Sequence, residues 1–246
     1  MKIIAVVAAR GGSKSIPRKN LKKLNGKSLI NYILGTLLNI KEIDRTILSS
    51  DSKEILRVAQ KNNKKTLETR LRPESLSRDE TPLTSVAHYV ANELFKENYE
   101  PDVVLQVAPT CPFIKPSTIK KIIKVFKLKQ SNCAVTLKRI EHEHPYRAKK
   151  LYNNNIFKQF IKKINLEKYL SRQSLPTLYC TSGAIYARTY KLLKSFSGKD
   201  FCLGKRPMGI VVDDIEAINI DRKIDLEFAN YIASKKLFKK YKSHEI

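Results

Sequence analysis

Apolar residues along the chain fall into short continuous runs that take turns with stretches spaced every three or four residues. The first run, residues 2–7, is β-branched and almost free of polar side chains, which predicts a strand buried on both faces. From Ser28 the pattern changes. Leu29, Ile33, Leu34, Leu37 and Leu38 share one helical face, with Ser28 placed to cap it. Residues 45–50 predict a second strand, and Asp51 or Ser52 then caps a helix through Ile55, Leu56 and Ala59. A short strand near Thr66 and Leu67 leads into a polar loop. Thr81-Pro82 predicts the next helix start, because threonine caps and proline at the first position gives up no hydrogen bond. Val86, Tyr89, Val90, Leu94 and Phe95 continue that helix towards Lys96. Residues 102–107 read as another buried strand, and Pro116-Ser117 opens a helix through Ile119, Ile122, Ile123 and Phe126. Residues 132–137 are strand-like again.

Alternation of this kind builds βαβ units, so the expected fold is α/β, three layers around a mostly parallel sheet. The rhythm stops over residues 139–182, a polar tract rich in Asn and Lys with no clean period. It reads as an insertion: a lobe, a lid or an arm for subunit contact. Regular structure is expected to resume at 183–187, with short strand pieces at 211–212 and 218–220. A final helix carries Leu226, Phe228, Ala229, Ile232 and Leu237. With no internal repeat and no low-complexity linker, the expected organisation is one domain over 1–246 bearing that insertion.

Composition narrows the function. A 42% hydrophobic share of 246 residues is enough for a sizeable core. The net charge of +25 invites a nucleic-acid reading. However, the lysines are spread in pairs such as Lys64-Lys65 and Lys120-Lys121 on amphipathic segments, the mark of solvated helix faces. A surface of that kind favours anionic ligands in general. A basic RNA-binding module stays as the rival from another class, recognisable by steep salt dependence. Cys111, Cys133, Cys180 and Cys202 show no metal or redox spacing, which points to free thiols and a cytoplasmic location. His142 and His144 sit among Glu141, Glu143 and Pro145 and read as a polar loop. No apolar run approaches a membrane span, so no membrane partner is expected.

The richest chemistry follows the first strand. Arg10, Gly11, Gly12, Ser13, Lys14, Arg18, Lys19 and Asn20 put two glycines and four cations at its carboxyl end. Glycines let a backbone turn tightly with bare N–H groups, and fixed cations add charge. Strand ends of α/β sheets are where ligands bind, and a polyphosphate suits this set. The stretch is neither a Walker A loop, since Leu21 stands where its first glycine belongs before Gly26-Lys27-Ser28, nor a G-x-G-x-x-G dinucleotide motif.

The loop pattern R-G-G-S-K-x-I-P-x-K-N resembles that of the CMP-N-acetylneuraminate synthetase group, the acylneuraminate cytidylyltransferases. Further matches follow in order. Leu48-Ser49-Ser50-Asp51 resembles V-S-T-D. Arg72-Pro73 through Leu76 with Asp79 resembles R-P-x-x-L…D, and Pro109-Thr110-Cys111-Pro112 after Leu105-Gln106 resembles L-Q-P-T-S-P. Arg172-Gln173-x-x-Pro176, Ser182-Gly183-Ala184-Ile185-Tyr186 and Ile218-Asn219-Ile220-Asp221 resemble R-Q-x-x-P, N-G-A-I-Y and I-D-I-D. The related activators of the sugar Kdo carry an arginine where this chain has Lys14.

The resemblance implies a Rossmann-like nucleotidyltransferase fold in which CTP gives CMP to the anomeric hydroxyl of an acidic, sialic acid-type nine-carbon sugar. Pyrophosphate leaves, and the CMP-sugar feeds surface glycans. It implies that Arg10, Ser13, Lys14 and Lys19 hold phosphates beside Gly11 and Gly12, with Asn20 near the ribose and Arg72 and Thr81 on the cytosine. Gln106, Arg172, Gln173, Ser182 and Tyr186 would meet the sugar. Asp221 and Asn219 would sit at Mg²⁺, leaving Lys19, Arg172 and Asp221 as the catalytic set. It also implies a homodimer built through the arm. The chain departs from the pattern at Ser15, at Asn219, at Cys180 and Ser182, and between Gln106 and Pro109, where two extra residues let either Gln106 or Ala108 take the glutamine's place.

Overall fold

The computed structural model describes residues 1–240. The opening apolar run becomes β1 (Ile3–Ala8), six residues that are all buried. The reason is that helices cover both its faces. Ile3, Ala5 and Val7 share a cluster with Ile30, Ile33 and Leu34, while Ile4 and Val6 pack with Val86, Val90 and Leu94. The first set belongs to the side of α1 (Leu29–Leu37), α2 (Lys53–Gln60) and α4 (Pro116–Lys127). The second belongs to α3 (Leu83–Lys96) and α5 (Tyr190–Lys194). Three layers result.

The central sheet has seven strands. Besides β1 these are β4 (Arg45–Ser50), β5 (Leu67–Leu71), β6 (Val103–Val107), β7 (Cys133–Arg139), β10 (Tyr179–Thr189) and β11 (Met208–Val211). Their order is β11-β7-β10-β6-β1-β4-β5. β1 runs parallel to β4 and β6, β4 to β5, and β7 to β11, whereas β10 is antiparallel to both its neighbours. The fold is therefore the expected Rossmann-like α/β with one reversed strand. A small hairpin, β2 (Lys23–Leu24) with β3 (Lys27–Ser28), precedes α1.

The reversal of β10 explains the arm. Tyr179 pairs with Arg139, so the chain leaves the sheet at the end of β7 and re-enters beside the same point. Because β7 is parallel to β1, this is the carboxyl end of the sheet, where the cationic loop lies. The excursion holds β8 (Lys149–Leu151), β9 (Phe157–Gln159) and short 3₁₀ turns. Its hydrophobic side chains Leu151, Phe157, Phe160 and Leu170 are all exposed.

Five local expectations are revised. Ser28 precedes α1, but its hydroxyl makes no capping bond. Thr81 does not cap α3, which begins at Leu83 behind Pro82; its hydroxyl donates to the Ser75 carbonyl instead. Residues 218–220 form no strand, because Ile220 donates its N–H to the Thr110 carbonyl, tying the segment to the loop after β6. The last helix is two, α6 (Lys223–Ser234) and α7 (Leu237–Lys240), broken where Lys236 takes a left-handed φ of 55°. Phe228 points outward, about half exposed, with Ile224 and Tyr231 beside it. Among the described residues no helix is long and apolar enough to cross a membrane.

One bulge aims the strand facing the site. Register slips between Thr181 and Tyr186, and Gly183 takes φ +78° there. Thr136 accepts the Ile185 N–H at its hydroxyl, which also receives the Ser182 hydroxyl at 2.7 Å. A side chain at 183 meets no neighbour, but the left-handed backbone disfavours it. Gly183→Ala is expected to lose about 1 kcal/mol of unfolding free energy in urea denaturation, and an unchanged midpoint would show that the bulge relaxes freely.

Candidate active site

β1 ends at Ala8, and the chain immediately turns under the end of β4. Ala9 donates to the Ser49 carbonyl, and the Gly11 N–H donates to Asp51 Oδ1 at 2.8 Å. A Cβ at Gly11 would stand 2.9 Å from the Cβ of Ser52, so close approach requires glycine here. Asn20, buried, donates from Nδ2 to the Arg10 carbonyl at 2.9 Å and closes the loop on itself. Its Oδ1 is buried with no partner among the described residues.

A cavity of about 410 Å³ opens above this turn. Arg10, Ser13, Lys14, Lys19 and Asn20 line it from the first loop, Arg72, Asp79 and Thr81 from the second. Ala108, Pro109 and Thr110 close it after β6, and Asp221 completes the wall. Gly11 and Gly12 shape the loop without lining the space. The residues expected to share one triphosphate thus converge, although Lys19 and Asp221 lie at opposite ends of the chain.

Arg72 is the most telling of them. Only 6% exposed, it donates from Nε to the Ser77 hydroxyl at 2.9 Å, while Nη1 is buried without an acceptor. Burial, and then Arg10, push its pKa down against the pull of Asp51. A desolvated guanidinium with an idle donor is costly unless an acceptor arrives. Arg72 thus brings an unpaired donor to the border of the cavity.

Asp221 is held from three sides. Lys19 Nζ donates to its Oδ1 at 3.0 Å and to the Ile220 carbonyl at 2.8 Å. Asn219 Nδ2 donates to Oδ2 at 2.7 Å, and Asn219 Oδ1 in turn accepts from Cys111 Sγ at 3.8 Å. The Asp221 and Arg222 N–H groups both donate to Asp225, whose carboxylate is held below its ordinary range chiefly by Arg222. Farther back, buried Glu216 accepts from Thr118 Oγ1 and from the Lys115 N–H, pinning the segment before Asn219 to the start of α4. Burial pushes the Cys111 thiol up to about 12, so it is a protonated donor at neutral pH and not a nucleophile.

No cluster of three or more His, Cys, Asp or Glu side chains suited to a metal exists among the described residues. The donor set is one carboxylate, Asp221, since Asn219 turns its amide oxygen to Cys111 and its NH₂ to Asp221. Such a set fits Mg²⁺, which takes one or two carboxylates and completes its shell with phosphates and water.

A second cavity, of about 530 Å³, adjoins the first, and Asp221 lines both. Ser182 and Asn219 line it, with Lys138, Arg222 and Phe228. The remaining sugar candidates lie elsewhere. Gln106 is buried, its Oε1 accepting from Arg188 Nη1 at 3.1 Å, and Ala108 takes the cavity position. Tyr186 packs its ring against the Arg188 guanidinium, 5.3 Å from the centroid. Arg172 pairs with Glu141 on the arm, and neither it nor Gln173 reaches either cavity.

Arg188 itself escaped sequence reasoning. It is 1% exposed, bonded to Gln106 Oε1 and to the Phe201 and Cys202 carbonyls, with no ion-pair partner among the described residues. A lone arginine within a strand-like run, Ala187-Arg188-Thr189, was the only signal. Asp79, visible only as part of a motif, also belongs to the first cavity.

Comparison with known proteins identifies the family. The family model described as Cytidylyltransferase matches residues 4–240. The chain belongs to the cytidylyltransferase family. It is 33% identical over 234 residues to a pseudaminic acid cytidylyltransferase of Campylobacter jejuni, covering 94% of this chain and 96% of the relative. It is 32% identical over 235 residues to a CMP-N,N'-diacetyllegionaminic acid synthase of Legionella pneumophila, covering 92% and 93%. Among solved structures, a CMP:2-keto-3-deoxy-manno-octonic acid synthetase complexed with CTP has a TM-score of 0.69 at 16% identity, covering 96% of this chain and all of that one.

In this cytidylyltransferase the raised Cys111 thiol makes a direct prediction. Iodoacetamide at pH 8 should label half-buried Cys180 well before Cys111, as read by peptide mass spectrometry, and rapid loss of Cys111 would contradict its burial.

Proposed function

We propose that this cytidylyltransferase transfers CMP from CTP to the anomeric hydroxyl of an acidic nonulosonic sugar of the pseudaminic or legionaminic type, releasing pyrophosphate. One observation carries the reading: two cavities meet at Asp221, one ringed by cations with an idle donor on Arg72 and an idle acceptor on Asn20, the other bordered by Lys138, Arg222 and Phe228. The names of the two relatives support the sugar class. N-acetylneuraminate itself is the less favoured acceptor, since Cys180 and Ser182 replace residues usual in sialate enzymes.

Arg10, Ser13, Lys14 and Lys19 hold the triphosphate, and the idle Nη1 of Arg72 donates to the cytosine, near Thr81. Asn20 Oδ1, equally idle, accepts from the ribose. The sugar enters from the second cavity, its carboxylate drawn by Lys138 and Arg222, and Phe228 offers an apolar edge to N-acetyl methyl groups. Its hydroxyl then faces the α-phosphorus across Asp221. As the bond to pyrophosphate breaks, charge grows on the departing oxygens, where Arg10 and Lys14 stabilise it. Asp221 would hold Mg²⁺, whose positive charge would add to this stabilisation.

The arm supplies the rest. Leu151, Phe157, Phe160 and Leu170 each stand exposed along it. A homodimer covers them and carries Arg172 and Gln173 of one copy over the sugar site of the other. Free thiols at all four cysteines fit a cytoplasmic location.

Purified protein with CTP and Mg²⁺ should release pyrophosphate with pseudaminate or legionaminate faster than with N-acetylneuraminate or Kdo. A sugar phosphate as the sole productive acceptor would refute the substrate class. Lys19→Ala and Asp221→Ala should each lower turnover about 100-fold or more with unchanged thermal melting. Sedimentation should give a dimer, and the double variant Phe157→Lys, Phe160→Lys a monomer; a wild-type monomer would remove the arm's assigned role.

A further inference from the structure

The cationic cradle of the first cavity already holds an anion, and it is one of the chain's own. Asp79 reaches Arg10 Nη1 with one carboxylate oxygen and Lys14 Nζ with the other, at 2.5 Å for the lysine. Among the described residues these two cations are its only side-chain partners. The contact registers on both sides. Lys14 first and Arg10 second hold the Asp79 carboxyl below its ordinary range, and Asp79 raises the Lys14 ammonium. Asp79 rides on a loop fixed at either hand, by Arg72 Nε to Ser77 and by Thr81 to the Ser75 carbonyl. The loop therefore stays while the carboxylate, about 39% exposed, is free to swing outward.

We infer that Asp79 is a specificity-determining residue, a resident anion that a nucleotide must displace from Arg10 and Lys14. This rests on the placement of the triphosphate proposed above. A triphosphate carries several charges into the cradle and outcompetes one carboxylate. A nucleoside monophosphate does not reach that far and leaves Asp79 where it is. Once pyrophosphate departs, the carboxylate returns to the two cations, and the site no longer has a reason to retain the CMP-bearing product. Asp79 thereby separates CTP from CMP by charge, without touching the base. The pairs are exposed, so the competition is modest in size.

Calorimetric titration of the full-length protein with CTP, pyrophosphate and CMP, each without metal, tests this. Asp79→Asn should tighten CTP and pyrophosphate about fivefold and leave CMP unchanged, and Asp79→Ala should do the same. Unchanged or weaker CTP binding in both variants overturns the inference, as does equal tightening of CMP, which a merely structural loop change would produce. Arg10→Ala serves as the control. If it loses CTP affinity while the Asp79 variants gain none, only the inference falls. If it keeps full CTP affinity, the phosphates lie elsewhere and the proposed triphosphate site falls as well. Thermal melting of each variant confirms that a folded protein is being titrated.

Discussion

Opposite charges from the two ends of the chain meet at the carboxyl edge of the sheet, and the site depends on that meeting. Lys19 and Asp221 are 202 positions apart and stand 3.0 Å from each other. As a contribution to stability the pair counts for little, since Asp221 is largely exposed and such pairs are worth about 1 kcal/mol or less. Its importance is positional. Ile220 is buried in a third cluster with Ile16, Phe113 and Ala229, and that apolar packing brings the carboxylate to the lysine. Burial does the energetic work, and the charges ride on it.

The sheet topology places everything else. Parallel strands β1, β5 and β6 end on one side, and the loops that follow supply the cations, Arg72's segment and the Ala108 wall. The reversed strand β10 lets the arm leave and return at that same side without breaking the pairing of β7. An insertion of some forty residues therefore costs the core nothing and stands next to the second cavity.

Much of this was legible in the residues. Continuous β-branched runs such as 2–7 and 45–50 became strands because both faces are covered, which is what such runs require. The cationic turn, Arg72 and Asp221 were readable as separate motifs, and their convergence follows from strand order. What was not legible depends on three-dimensional neighbours. Thr81 lost its capping role because α3 starts one residue later, with Pro82 in the cap position, and the Thr81 hydroxyl donates to the Ser75 carbonyl. Phe228 has the spacing of a core residue, yet α6 rests on Ala229, Ile232 and Ala233, which turns Phe228 to the rim of a cavity. Gln106 could be assigned only by seeing Arg188, a partner 82 residues away that no local pattern announces.

Arg188 has a further consequence. Its guanidinium is sealed beneath the sheet's helical cover, satisfied by neutral oxygens alone, next to the helix that contributes Leu83 and Val86 to the first cavity. Mobile counterions mute the many lysines on the surface but do not penetrate to a group like this one. The fold thus carries one positive charge in its interior that added salt screens far less than it screens the lysines outside.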